Sequence, residues 1–204
     1  MAPMSATEFD TGQRLEMLQL ARRCIRALVV EGVWPDRLAL ETLPPWLNQQ
    51  RACFVTLESH GRLRGCIGSL EVQRPLAEDI VHNAISAAIR DYRFVPLRAD
   101  EPIRISISIL SPLTPLVVSD EQALLQQLKP GQDGVVFQAG RHRATFLPLV
   151  WQSLTRPAQF ISELKRKAGL PGDYWSDSVR IWRYRTESFG EEGEMPVSAT
   201  TDIK

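Results

Sequence analysis

Cysteine is scarce in this chain of 204 residues, with three in all, at positions 24, 53 and 66. Their spacings of 29 and 13 fit none of the close-paired zinc or iron–sulfur ligand patterns, and an odd number argues against a disulfide framework. A reducing, cytoplasmic setting is expected, with no metal and no cofactor. Net charge is also lacking, since 24 Lys plus Arg face 24 Asp plus Glu. No global field draws in a polyanion, so neither nucleic acid nor an anionic membrane is an expected partner. No apolar run reaches the length that spans a bilayer. Residues 1–13 lack a basic stretch followed by an apolar one, so no secretory signal is read there. Histidine is limited to His60, His82 and His142. No internal repeat or long linker interrupts the chain. What remains is an ordinary globular composition, 44% hydrophobic and 24% charged, long enough for one good-sized domain or two small ones sharing a core.

Residues 14–31 carry Leu15, Leu18, Ala21, Ile25 and Leu28 at helical spacing, with Gly32 as the cap, and Cys24 reads as a small buried hydrophobe within that stripe. Residues 1–13 are expected to be flexible. The proline-rich stretch 33–48 is expected to wrap the surface with one short helical piece. Two β-prone runs, 52–58 and 63–70, flank Ser59-His60-Gly61-Arg62 and read as a hairpin. A two-residue His60-Gly61 turn would set Val55 opposite Cys66 and Phe54 opposite Ile67, placing Cys53 and Cys66 on one face as diagonal neighbours. Pro75 opens a second helix whose Ala84, Ala87 and Ala88 are small enough to let it approach a sheet closely. Residues 91–97 read as extended because they run into Pro96. In 103–110, four isoleucines alternate with Arg104, Ser106 and Ser108, the pattern of a half-buried strand.

Further along, Ser119-Asp120-Glu121-Gln122 reads as a helix start. A second hairpin spans 135–146, a helix follows over 157–168 with Lys165-Arg166-Lys167 complementing its C-terminal dipole, and 179–184 is a last strand. Residues 191–204, rich in glutamate and small polar residues, read as a disordered tail. Hairpins outnumber strand–helix–strand crossovers. The fold class is therefore α+β, two unequal lobes around a mostly antiparallel or mixed sheet, with a smaller C-terminal lobe starting near residue 113.

The centre of interest is Leu63-Arg64-Gly65-Cys66-Ile67-Gly68, where two glycines flank a cysteine inside a strand. Glycine packs nothing and weakens a strand, so its presence here points to close backbone approach or a bulge. This hexapeptide resembles the signature of the AMMECR family, whose prokaryotic members are called AmmeMemoRadiSam system protein A. Phe54-Val55-Thr56-Leu57, Asp91-Tyr92-Arg93-Phe94-Val95-Pro96-Leu97, Ile107-Ser108-Ile109-Leu110-Ser111-Pro112, Phe146-Leu147-Pro148, Lys167-Ala168-Gly169-Leu170 and Phe189-Gly190-Glu191 continue the resemblance in order. Together they span nearly the whole of 14–190. The resemblance implies an α+β fold of two unequal lobes with the cysteine motif near the groove between them. It also implies genomic company with a Memo-like, dioxygenase-related protein and a radical SAM protein, hence these as possible pathway partners. It implies no particular reaction. One departure stands at Glu163-Leu164-Lys165, where many relatives carry a cysteine after the leucine, so paired-thiol chemistry is not supported here.

Cys66 is the candidate catalytic residue, as nucleophile or redox thiol. Such a thiol needs a cation, a histidine or a helix N-terminus to activate it, and none of the three histidines stands with it by spacing. Arg64, Gly65, Gly68, Asp91 and Arg93 are the candidate binding residues. The arginines read either as an anion clamp or as ion pairs, Arg64–Asp91 or Arg93–Asp91, that fix the loop after the second helix. Ser106 and Ser108 line either solvent or a cleft. Two functional classes follow. One is a non-catalytic binding or adaptor component of a modification pathway, with a groove at residues 63–68. The alternative is a small enzyme or enzyme subunit that uses Cys66 on a peptide or small metabolite.

Overall fold

The isoleucine alternation in 103–110 builds the centre of the first sheet. In the computed structural model, which describes residues 8–34 and 43–199, Ile103, Ile105, Ile107 and Ile109 are all buried in strand β3 (Pro102–Leu110). The other elements are α1 (Thr11–Glu31), β1 (Cys53–Ser59), β2 (Arg62–Gly68), α2 (Leu76–Ile89), β4 (Thr114–Leu116), α3 (Glu121–Gln127), β5 (Gly134–Ala139), β6 (His142–Phe146), α4 (Pro157–Lys167), β7 (Val179–Tyr184), β8 (Thr186–Gly190) and β9 (Met195–Pro196). They form a five-stranded sheet in the order β2-β1-β3-β8, with β9 also pairing β3, and a four-stranded sheet in the order β4-β7-β5-β6. The chain divides accordingly into 1–109 with 187–204, and Leu110–Thr186. The fold is α+β with two antiparallel sheets.

In the first unit α1 and α2 cover the core side of the sheet. Met17, Ala21, Cys24 and Ile25 of α1 meet Ile80, Ala84 and Ala88 of α2 and Val55, Leu57 and Ile105 of the sheet in one cluster of buried side chains. Each large side chain so buried contributes about 1.5–3 kcal/mol. The alanines bring α2 close. A Cβ on Gly65 would lie 2.3 Å from the carbonyl oxygen of Ala87, so only glycine fits where strand and helix backbones meet.

That contact also corrects the hairpin register. The turn is the two-residue type expected, with His60 at φ 52° and Gly61 at φ 67°. Past Glu58↔Leu63, however, the next pair is Leu57↔Gly65, so Arg64 is an extra residue in a bulge. Val55 then faces Ile67, Thr56 faces Cys66 and Phe54 faces Gly68. Cys53 and Cys66 consequently lie on opposite faces of the sheet rather than on one. Placing Gly65 against α2, opposite buried Leu57, is what the bulge accomplishes.

Two described segments, 8–13 and 191–199, depart from expectation. Residues 8–13 are not loose. Phe9 is buried, and Asp10 caps α1 through a reciprocal box with Gln13, so the helix begins at Thr11. Residues 191–199 are not a disordered tail. Glu191 pairs with buried Arg22, β9 lies along β3, and Val197 is buried. Residues 1–7 and 200–204, and the 35–42 part of the proline-rich stretch, lie outside the described residues.

In the second unit Trp151 stacks on Phe160, ring centroids 3.8 Å apart and planes within 5°, and Phe146 meets Phe160 edge-on at 5.2 Å. Lys165, one of the three basic residues in the last turn of α4, is fully buried, with its Nζ 2.7 Å from Glu121 and over the Trp175 ring at 5.6 Å. Paired in this way, its charge is tolerated inside.

Candidate functional site

The signature lies on β2, an edge strand of the first sheet, with one side bonded to β1. Edge strands carry unpaired N–H and C=O groups. Here the loop after α2 supplies the missing partners. Asp91 Oδ2 accepts from the Cys66 N–H at 2.9 Å, and Arg93 Nη2 donates to the Cys66 carbonyl at 3.3 Å. Arg93 is in turn bidentate on Asp91, Nε to Oδ1 at 2.9 Å and Nη2 to Oδ2 at 2.6 Å. The loop is closed by Phe94 N–H to Asp91 C=O and by Leu97 N–H to Ala88 C=O, with Leu97 buried. Asp91 itself is 4% exposed. The guanidinium of Arg93, first, and then the N–H of Cys66 hold its carboxyl well below the usual carboxylate range, against the opposing effect of burial. The carboxylate in return raises Arg93.

Of the two ion pairs expected at this loop, Arg93–Asp91 forms. Arg64 instead reaches Glu101, Nε to Oε1 at 2.5 Å and Nη2 to Oε2 at 3.1 Å, with Nη2 also 3.4 Å from the Pro96 carbonyl. The bulge aims Arg64 there. Phe94 lies between the two arginines, its ring centroid 5.9 Å from the Arg64 guanidinium carbon and 5.4 Å from that of Arg93. Beside Arg64 is a cavity of about 370 Å³ whose walls include Ser59, His60, Val95, Arg98 and Glu101.

Cys66 is half-buried and its sulfur accepts a hydrogen bond from Thr56 Oγ1 at 3.2 Å. On the same face, Phe54 packs on Gly68 so tightly that an added Cβ would sit 2.3 Å from the ring. Ser106 pairs across β1 with Thr56, and Ser108 with Phe54, which puts the hydroxyl row on the cysteine's face. Ser108 Oγ lies 2.8 Å from Ser188 Oγ of β8. The other two thiols are buried. Burial pushes Cys24 up to about 12, and Cys53, on the core face at the start of β1, is also raised by burial and by nearby Asp79.

Of the histidines, His60 is at the hairpin turn beside the cavity, His82 contacts its neighbour Asn83, and His142 meets the Ala168 carbonyl. Among the described residues no three histidine, cysteine, aspartate or glutamate side chains gather to hold a metal ion, and no helix is long and apolar enough to cross a membrane.

Two residues the sequence reading passed over matter to the site. Glu101 fixes Arg64. Asp79, 1% exposed, accepts from the Cys53 N–H at 2.9 Å and from Asn83 Nδ2 at 3.0 Å and pairs with Arg74, tying the start of β1 to α2. The available signal was the i, i+4 pair Asp79 and Asn83 on the helix face that also carries Leu76 and Ile80.

Fold and site together define a two-unit α+β protein with a cysteine-bearing edge strand locked to an acidic–basic loop. The AMMECR1 family model matches residues 18–189. The chain belongs to the AMMECR1 family. It is 36% identical over 196 residues to a protein of Methanothermobacter thermautotrophicus, covering 94% of this chain and 98% of that one. It is 34% identical over 187 residues to protein MJ0810 of Methanocaldococcus jannaschii, covering 87% and 91%. The crystal structure of the uncharacterized protein PH0010 from Pyrococcus horikoshii is similar, with a TM-score of 0.76 at 29% identity, over 89% of this chain and 95% of that one.

Proposed function

We propose that this protein is a binding or adaptor component of a modification pathway that also employs Memo-like and radical SAM proteins, and that β2 with loop 91–97 is the surface it offers. One observation carries the reading. The charged side chains of the two signature segments grip acidic partners and the Cys66 backbone, as Arg93 does on Asp91 and Cys66 and Arg64 on Glu101. A clamp for a substrate anion keeps its guanidinium forks open. A set of closed pairs stiffens a surface, and a preordered surface loses less entropy on binding.

The test is complex formation between the purified protein and the Memo-like and radical SAM proteins of its source, followed by sedimentation. The expected result is a complex with at least one of them, kept by Cys66→Ser and weakened by Asp91→Asn. Failure to bind either protein removes the adaptor reading. The enzyme reading draws on the Thr56 hydroxyl, which orients the half-buried thiol of Cys66. It requires that Cys66 be alkylated by iodoacetamide faster than free cysteine at neutral pH, and that Cys66→Ser abolish pathway turnover while the complex persists.

A further inference from the structure

The segment after β8 lies along the first unit as a strap with two deep attachments. Glu191 grips buried Arg22 with both carboxylate oxygens at 2.6 Å and takes the Ile105 N–H at 2.8 Å. Further on, Val197 is buried and belongs to the main core cluster. Between these two points Glu192, Gly193 and Glu194 are exposed, and a Cβ on Gly193 would meet nothing within 4 Å. Exposed backbone with few buried contacts opens locally while its flanks stay closed.

The strap touches both walls of the cavity beside Arg64. One wall is the tip of the β1–β2 hairpin, with Ser59 and His60, and the other is the turn before β3, with Arg98, Asp100 and Glu101. Its hold on the second wall is backbone. Val197 N–H donates to the Glu101 carbonyl at 3.0 Å, Ser198 N–H to the Ala99 carbonyl at 3.1 Å, and β9 lies beside Pro102 and Ile103. Its hold on the hairpin tip is the Glu194 side chain, whose Oε1 accepts from the Gly61 N–H at 2.8 Å. That N–H, first, and then the His60 N–H keep the Glu194 carboxyl below its ordinary range. The tip they belong to has His60 at φ 52°, a backbone conformation that a residue other than glycine keeps only where its surroundings enforce it. The hairpin is tied elsewhere by Arg64–Glu101 and Glu58–Arg104, on its arms rather than its tip.

We infer that residues 191–199 form a releasable clamp on this cavity. Held at Arg22 and Val197, the strap bends at Gly193, gives up the Gly61 N–H and lets residues 59–62 swing away from the turn before β3. The cavity widens on its His60 side. Release of the whole strap is disfavoured, because it would strand Arg22, 3% exposed, without a carboxylate and would expose Val197. The clamp works within one chain and stands or falls separately from the adaptor reading.

Two measurements on the full chain test it. Nitroxides at Arg62→Cys and Asp100→Cys, both exposed positions, report the width of the cavity by double electron–electron resonance in a Cys66→Ser background. Cys24 and Cys53 are buried and stay unlabelled. Glu194→Ala is expected to enlarge a longer-distance population. Gly193→Ala, which stiffens the bend without meeting another atom, is expected to reduce it. In hydrogen exchange followed by NMR, the wild-type Gly61 N–H should exchange faster than those of Glu191 and Val197. In Glu194→Ala the Arg62 N–H, paired with Ser59 across the turn, should exchange about two- to fivefold faster while Glu191 and Val197 are unchanged. One distance distribution shared by the wild type and both variants overturns the clamp. Exchange of Glu191 and Val197 in step with Gly61 also overturns it, since the strap would then leave as one body.

Discussion

In the first unit the segments around the signature are fastened by ionised pairs, Arg93–Asp91, Arg64–Glu101, Arg74–Asp79 and Arg22–Glu191, set at the margins of an aliphatic core. In the second unit an aromatic cluster sits within the aliphatic core, with Trp151, Phe160 and Phe146 packed ring on ring and the Trp151 N–H donated to the Asp133 carbonyl at 2.7 Å, beside the buried lysine pair Lys165–Glu121. The contrast is between fixing geometry and filling volume. Ion pairs between partly buried groups add little net stability over apolar packing, but they specify where a loop sits. Aromatic stacking mainly adds buried area. Around the cysteine motif, position is set mainly by such pairs.

The largest effects should come from the strongest element of each kind. Phe160→Ala removes a ring that is fully buried between two aromatic neighbours and should lower stability by about 3–5 kcal/mol. Urea unfolding followed by tryptophan emission checks it, since Trp151 stacks on that ring. A loss under about 1 kcal/mol would mean that the stack fills volume without holding the unit. Its counterpart is Glu191→Ala. It leaves Arg22, 3% exposed, with the Ile103 and Pro196 carbonyls but no carboxylate, and should be comparably damaging at about 3–5 kcal/mol. Here the specific sign is faster hydrogen exchange at the Ile105 N–H, which donates to Glu191 Oε2. Unchanged exchange would break the claim that the pair fastens the C-terminal segment.

Much of this contrast was legible in the sequence where it depends on neighbours along the chain. The isoleucine alternation of β3, the His60-Gly61 turn, the alanine face of α2 and the Arg93–Asp91 pair are all set by residues within a few positions. The glycines pointed to a close approach or a bulge, but not to its place at Arg64, because that answers to the Ala87 carbonyl on another element. Arg64 could not be matched to Glu101, since nothing in spacing marks one carboxylate 37 positions away above the others. The C-terminal stretch misled by composition. Glutamate, glycine and proline resemble a solvated tail, yet one of those glutamates closes a buried pair 169 positions back. The Asp10–Gln13 capping box, by contrast, was there to be read.

An intermediate effect is expected at Asp91. Asp91→Asn keeps the shape but weakens the grip on Arg93 and the Cys66 N–H, and should lower stability by about 1–3 kcal/mol. The pH dependence gives a sharper check. A carboxyl held below its ordinary value binds its proton more weakly in the folded state than in the unfolded one. Its stabilisation is therefore complete above the ordinary pKa of about 3.9 and declines as pH falls through the folded value. Wild-type stability should drop more steeply than that of Asp91→Asn below about pH 4. Equal slopes in a guanidinium series across that range would show that the pair does not depend on the charge of Asp91.

The smallest stability effect belongs to Tyr92→Ala. With the side chain 96% exposed, truncation removes almost no buried area, and the loop's fastenings run through Asp91, Arg93, Phe94 and Leu97 instead. Stability should move by no more than about 0.5 kcal/mol. If Tyr92→Ala instead costs as much as Asp91→Asn, the ring is part of the loop's support and its exposure is no sign of docking. If stability is unchanged, then the first unit uses its ion pairs to hold up a side chain that contributes nothing to its own fold. That separation of support from contact is what a binding surface requires and what an aromatic core, where the same rings provide both area and stability, does not allow.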